Sequence, residues 1–269
     1  MGILKGKRGL IFGLANERSI AWGIARACHR EGAVLGFNYL GEALEKRVRP
    51  LAEELQSDFV VPCNLNHDNE IDQVFKEVEK RWGGVDFLIH SVAFAKKEEL
   101  TGYYYDTSRE GFLIAMETSV YSLTALCGRA APLMKDGGSI VTLTYLGAER
   151  VMPHYNVMGV AKAALEASVR YLAVDFGPKN IRVNALSAGP IRTLAAAGIG
   201  DFKHILNWNR DNAPMRRNVS IEEVGESALY LVSDMSSGVT GEVLHVDAGY
   251  HVVGMKAVDH EHEHHKHHG

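Results

Sequence analysis

The chain has 269 residues, 46% of them apolar, and a formal net charge of −4. That length holds one large α/β domain or two small ones, with enough apolar content for a core that needs no disulfide or metal staples. The acidic balance argues against a general nucleic-acid binder, which is usually basic. Cys28, Cys63 and Cys127 are widely spaced and form neither a disulfide framework nor a CxxC metal pattern. Reduced thiols in a cytoplasmic protein are therefore expected, and no metal site. No apolar run is read as reaching the roughly 18 residues that span a bilayer, and the N-terminus lacks the apolar segment of a secretory signal. No membrane association is expected.

In chain order, short apolar runs alternate with amphipathic stretches. Strands are predicted at Gly9–Gly13, Val34–Tyr39, Phe59–Cys63, Val85–Ser91, Ser139–Leu143, Arg182–Ser187 and Val243–Val246. They are near-continuously apolar, as in a parallel sheet covered on both faces. Helices are predicted at Ser19–Glu31, Leu44–Gln56, Asp68–Trp82, Ser108–Ala131, Tyr155–Phe176 and Ile221–Ser233. Ser19 stands as an N-cap, Ser220 with Glu223 as a capping box, and Gly32 and Gly177 at helix C-caps. Tyr103-Tyr104-Tyr105 reads as surface packing before a helix cap at Asp106 and Thr107.

This alternation gives an α/β, Rossmann-like, doubly wound sheet of seven parallel strands in a single domain over residues 1–256. Residues 191–212 carry Ile199, Phe202, Ile205 and Trp208. They read equally well as a short helical lid over a pocket mouth and as an excursion that completes the core. Residues 257–269 form a histidine-rich tail, expected to be disordered and given no role in the main chemistry.

The first strand is followed by Gly13-Leu-Ala-Asn-Glu-Arg-Ser19-Ile20-Ala-Trp-Gly23. This is not GxGxxG, yet the physical logic of a dinucleotide turn applies. Gly13 lets the backbone approach a pyrophosphate, Ser19-Ile20 opens a helix with free N–H groups and a positive dipole, and Gly23 lets that helix pack close to the sheet. A turn glycine followed by an N-cap serine is the plainer alternative. The second strand ends Asn38-Tyr-Leu40-Gly41-Glu42, with no base before Lys46 to meet a 2′-phosphate, so NAD is expected rather than NADP. Asn64, past the third strand, is either an adenine contact or a turn asparagine. The fourth strand ends His90-Ser91-Val92-Ala93-Phe94-Ala95, whose small residues let a nicotinamide ribose lie across the sheet. His90 reads as a buried, satisfied histidine.

Tyr145, Tyr155 and Lys162 are the candidate catalytic set. Tyr155 and Lys162 are seven residues apart. At about 3.6 residues per turn, that places phenol and ammonium on one face of a helix. A free phenol titrates near pKa ~10, and a lysine beside it favours the phenolate and eases proton donation. Alone, the pair reads as a core tyrosine and a solvated lysine. The dinucleotide turn upstream and the second phenol at Tyr145 reverse that weighting.

Together these residues resemble the NADH-dependent enoyl-[acyl-carrier-protein] reductases of bacterial type II fatty-acid synthesis, within the short-chain dehydrogenase/reductase superfamily. The resemblance covers about residues 2–256. It rests on the Gly13–Gly23 turn, His90–Ala95, Tyr145, Tyr155-x6-Lys162, Arg182–Ala195 and Asp247-Ala-Gly-Tyr250. Ordinary superfamily members carry Tyr-x3-Lys. Here Gly159 stands at that position and the lysine follows three residues later.

The resemblance implies an oxidoreductase that reduces the C2=C3 bond of trans-2-enoyl thioesters on acyl carrier protein with hydride from NADH. It implies that Gly13, Ser19 and Ile20 cradle the pyrophosphate, that Leu40, Asn64 and Leu65 stand at the adenine, and that Ser91 and Val92 lie near the ribose. Many relatives have glutamine at Leu40 and aspartate at Asn64. Lys162 would bond the nicotinamide ribose, and Ile191, Arg192, Thr193, Leu194 and Ala195 would hold the carboxamide and a phosphate. Ala95, Met158, Ile199, Phe202 and Ile205 would line the acyl pocket. Lys203, Arg210, Arg216 and Arg217 would steer the acidic carrier protein. A homotetramer is implied, with the helices Ser108–Ala131 and Tyr155–Phe176 at an interface. Two alternatives stay open at this point: a related reductase of ketones or other enones, and a non-catalytic dinucleotide-binding regulator.

Overall fold

The structure is a computed structural model and describes residues 2–259. Its seven strands are β1 (Arg8–Phe12), β2 (Val34–Tyr39), β3 (Phe59–Pro62), β4 (Phe87–His90), β5 (Gly138–Thr144), β6 (Ile181–Ala188) and β7 (Val243–Val246). They form one sheet in the order β3-β2-β1-β4-β5-β6-β7, with every pairing parallel. The order reverses between β1 and β4, which is where a doubly wound sheet opens a crevice at its carboxyl edge. The predicted seven-stranded parallel sheet is thus present, with strand ends displaced by up to two residues. Most of the histidine-rich tail, residues 260–269, lies outside the described residues.

The helices are α1 (Ile20–Arg30), α2 (Gly41–Glu54), α3 (Asp68–Trp82), α4 (Arg109–Met116), α5 (Ser122–Ala130), α6 (Val157–Phe176), α7 (Phe202–Asn212) and α8 (Ile221–Val232). Alternation along each strand feeds two cores. In β1, Ile11 joins the side covered by α1, α2 and α8, whereas Leu10 and Phe12 join the side covered by α3, α5 and α6. Side chains in a strand point to opposite faces in turn, so one apolar run serves both layers.

Several local expectations are corrected. The stretch predicted as one helix, Ser108–Ala131, is divided by a π-helical segment, Glu117–Tyr121. Ser122 Oγ donates to the segment's Thr118 O at 2.6 Å, and the segment's own Ser119 Oγ pairs with Phe94 N and O at 2.9 and 3.1 Å. By length and composition the helical stretch Arg109–Leu133 is long and apolar enough to cross a membrane, contrary to the sequence reading, although half of that window is buried inside the fold. Core helices of soluble folds meet the same test. Gly177 is right-handed at φ −52°, and the left-handed residue ending that region is Asn180 at φ 58°. Gly32, at φ 95°, does follow α1 as expected.

Ser19 occupies the N-cap position of α1, as expected, but its side chain makes no capping bond. Its hydroxyl accepts from Ala15 N and Asn16 N at 3.0 and 3.1 Å and so folds the loop before the helix. The Ser220–Glu223 capping box on α8 is present. Gly23 packs not on the sheet but on the N-terminus of α8, where a methyl group would stand 2.1 Å from Ile221 O. The obstacle is backbone, so Gly23→Ala must push α1 and α8 apart. It is expected to lower stability by about 1–3 kcal/mol, the usual range for overpacking, read as a reduced urea midpoint.

Candidate active site

The predicted cofactor residues sit past the carboxyl ends of their strands: Gly13 after β1, Leu40 after β2, Asn64 and Leu65 after β3, Ser91 and Val92 after β4, and Ile191–Ala195 after β6. Gly13 has φ 105°, and a methyl there would stand 1.8 Å from Ser91 O. The glycine therefore lets the β1 exit cross against the β4 exit, which shapes the floor of the crevice. Leu65 is buried, while Leu40 is 55% exposed. Asn64 behaves as a turn residue, because its Oδ1 accepts from Asn66 N at 2.9 Å. Thr193 Oγ1 accepts from Ala196 N at 3.1 Å and starts the turn Ala196–Gly198.

Tyr145 follows β5 directly. Its ring meets that of Tyr155 edge-on, with centroids 5.0 Å apart and planes at 76°. Tyr155 is buried, but it stands before α6 and not on it. Asn156 breaks the helix with φ 46° and ψ −122°, and α6 begins at Val157. The two-turn argument for a shared face therefore fails. What places the phenol is a turn with positive φ at both His154 and Asn156. Gly147 makes room for the ring, and Gly159 makes room for the Gly147 backbone. A methyl at Gly147 would stand 2.4 Å from Tyr155 Cδ2, and one at Gly159 would stand 2.8 Å from Gly147 O. A lysine at position 159 does not fit this backbone.

Lys162, in the second turn of α6, is buried and donates to Leu143 O at 2.8 Å. Burial pulls its ammonium down to about 8, partly opposed by Glu166. The Tyr155 phenol is pushed well above the usual range by burial, then by Tyr145 and Glu166. Tyr145 is raised as well, by burial first and then by Tyr250 and Asp247. The expectation that Lys162 favours a phenolate is thus corrected: burial raises the phenol first, and the lysine is not among the groups that shift it. Both phenols stay protonated and so keep a hydroxyl proton to donate.

An apolar cluster surrounds them: Leu100, Val120, Tyr155, Met158 and Ala161, with Ala95, Tyr145 and Ile199 packed against it. Of the five predicted acyl-pocket residues, Ala95, Met158 and Ile199 are gathered here. Phe202 and Ile205 are not in this cluster. They lie on α7, where Ile205 is buried. The sequence reading missed Leu100, Val120 and Gly147. Only Gly147 carried a signal, as a glycine two residues past Tyr145. Of the four cations near the lid, Arg210, Arg216 and Arg217 are already paired with Asp211, Asp259 and Glu223.

His90 is fully buried and satisfied, as expected, with Nδ1 2.8 Å from Thr142 Oγ1 and Nε2 2.7 Å from Ser122 Oγ. Burial, then Lys162, pulls its imidazole down to about 3 from an ordinary 6.5. Between those values the unfolded chain binds a proton that the native protein refuses. Stability contributed by the neutral ring is complete above 6.5 and is lost as pH falls. His90→Asn is expected to remove up to about 1.4 kcal/mol per pH unit from the acid limb of stability. Urea unfolding at several acid pH values checks this. Asn184, within the Arg182–Ala195 stretch, pins the approach to β7 through Val239 O and Glu242 N at 2.9 and 3.0 Å.

A doubly wound parallel sheet with two protonated phenols and a buried lysine past the carboxyl end of β5 is the arrangement of a short-chain dehydrogenase/reductase. A model of the family described as Enoyl-(Acyl carrier protein) reductase matches residues 13–251. The chain belongs to that family. It is 64% identical over 258 residues to "Enoyl-[acyl-carrier-protein] reductase [NADH] 1" of Rhizobium meliloti, covering 96% of this chain and 95% of the relative. A solved enoyl-(acyl-carrier-protein) reductase of Anaplasma phagocytophilum in complex with NAD aligns with TM-score 0.92 at 56% identity, over 96% of this chain and 98% of that one. The corresponding structure from Candidatus Liberibacter asiaticus aligns with TM-score 0.94 at 52% identity, over 96% and 100%.

Proposed function

We propose that Tyr155, Tyr145 and Lys162 carry the reduction of the C2=C3 double bond of trans-2-enoyl thioesters borne by acyl carrier protein, the last step of the fatty-acid elongation cycle. The observation that carries this reading is the edge-on phenol pair inside an apolar cluster, close in sequence to a buried lysine on α6. The residues present suit NADH: a crevice at the switch point, a glycine turn without room for a side chain, and a buried ammonium whose present partner is a neutral carbonyl. Gly13, Ser19 and Ile20 would hold its pyrophosphate, Lys162 its ribose and Ile191–Ala195 its carboxamide. NADH supplies the hydride that reaches C3 of the substrate.

The residues of the chain manage the charge that follows. Negative charge develops on the thioester oxygen, and the Tyr155 hydroxyl donates to it in the role of an oxyanion hole. Its raised pKa suits a donor that must not ionise before the substrate needs it. Tyr145 packs against that ring and limits its orientation. One proton from solvent then completes C2, so that enoyl thioester, NADH and H⁺ give acyl thioester and NAD⁺. The apolar cluster excludes water from the acyl chain and strengthens the hydrogen bond.

Acyl carrier protein is the substrate's carrier. Lys203 is the lid cation best placed to meet it, since the three arginines hold carboxylates of their own. A homotetramer belongs to this reading. It is supported by exposed apolar side chains on the two helices concerned, Leu113 and Tyr121 on one and Tyr171 and Val174 on the other. A cytoplasmic location is supported by three free, buried cysteines. NADH oxidation with crotonyl thioester compared with acetoacetyl thioester tests the reaction class. Turnover on the enoyl substrate alone is expected, and preference for the ketone would overturn the assignment.

A further inference from the structure

Lys162 retains only 7% exposure, and its ammonium meets a neutral oxygen, Leu143 O. A buried ammonium without a counter-charge tends to give up its proton. Glu166 lies one turn further along α6, equally buried, and its Oε2 accepts from Thr144 Oγ1 at 2.8 Å. Leu143 and Thr144 are the last two residues of β5. Two hydrogen bonds thus stitch successive turns of α6 to the end of one strand, with ammonium and carboxylate on the same helix face.

We infer that Glu166 is the counter-charge that keeps Lys162 protonated, a positioning residue that acts on the cofactor site through the lysine. The other charged and titratable groups around the pair do not supply this. His90 faces Lys162 as a neutral ring, and Tyr155 stays a neutral phenol. Arg170 carries the same sign as the lysine, and Glu149 is exposed beyond Glu166. Desolvation raises the Glu166 carboxyl above its ordinary value, and the Thr144 bond and Lys162 itself oppose that rise and favour the ionised form.

The inference rests on the reading that Lys162 binds the nicotinamide ribose. The test is the NADH Kd of the full chain, by fluorescence titration across the lysine's range, for wild type, Glu166→Gln, Glu166→Asp and Lys162→Met. Wild-type affinity is expected to weaken as pH rises through about 8. In Glu166→Gln, which keeps shape and loses charge, the weakening should begin about one pH unit lower. Glu166→Asp should return it to the wild-type position. Coincident profiles for wild type and Glu166→Gln would overturn the inference. So would a Gln profile displaced by one factor at every pH, the mark of a structural role, or an Asp profile that follows Gln. An unchanged Kd in Lys162→Met would overturn the ribose contact itself, and the inference with it.

Discussion

Tyr155→Phe is expected to lower kcat by a factor of about 100 to 1000 with a much smaller rise in KM, the loss typical of one oxyanion-hole donor. The ring itself should stay, because Gly147, Gly159 and the apolar cluster around Leu100 and Met158 define its slot, and phenylalanine fills the same slot. Only the hydroxyl is removed. Its donor serves the developing charge and not the ground-state carbonyl, which is why kcat suffers more than KM. Steady-state kinetics with a crotonyl thioester checks this, and turnover at the wild-type rate would remove Tyr155 from its assigned role.

Gly147→Ala should cost nearly as much without touching any reacting group. The added methyl would stand 2.4 and 2.7 Å from Tyr155 Cδ2 and Cε2, and 3.4 Å from Tyr145 Cδ1. The ring must move, and misplacing a catalytic group by about 1 Å can cost a hundredfold in rate. Folding should suffer only the about 1–3 kcal/mol of ordinary overpacking. The combination of Gly147→Ala with Tyr155→Phe distinguishes this from general damage. If the methyl acts by displacing the phenol, the double variant should be about as slow as Tyr155→Phe alone. Multiplied losses would show that Gly147→Ala acts elsewhere.

The sheet and its helices were legible because their signals are local. Asp68–Trp82 has the same bounds in the sequence reading and in the structure, with buried Ile71, Val74, Phe75 and Val78 at helical spacing and Gly83 in the left-handed region behind them. Val34–Tyr39 and Val243–Val246 likewise agree. The site's residues were legible too, but not its geometry. The seven-residue spacing suggested one continuous helix from Tyr155 to Lys162. The chain instead takes φ 61° at His154 and φ 46° at Asn156, which no apolar pattern announces. The π-helical segment depends on bonds from Ser119 to Phe94 and from Ser122 to His90, partners distant in sequence. Gly23 was rightly marked as a close-packing glycine, yet its partner is Ile221 on α8. The use of Gly147 emerges only once the Tyr155 ring is in place. In each case the missing information is tertiary: a local code names the residue, and a distant contact decides what it does.

The most direct test of the account runs the reaction with unlabelled NADH and a trans-2-enoyl thioester in D₂O and locates deuterium in the saturated product. Hydride delivery to C3 under a phenol-stabilised enolate predicts one deuterium at C2 and none at C3. Deuterium at C3, or none at C2, would contradict the mechanism built around Tyr155.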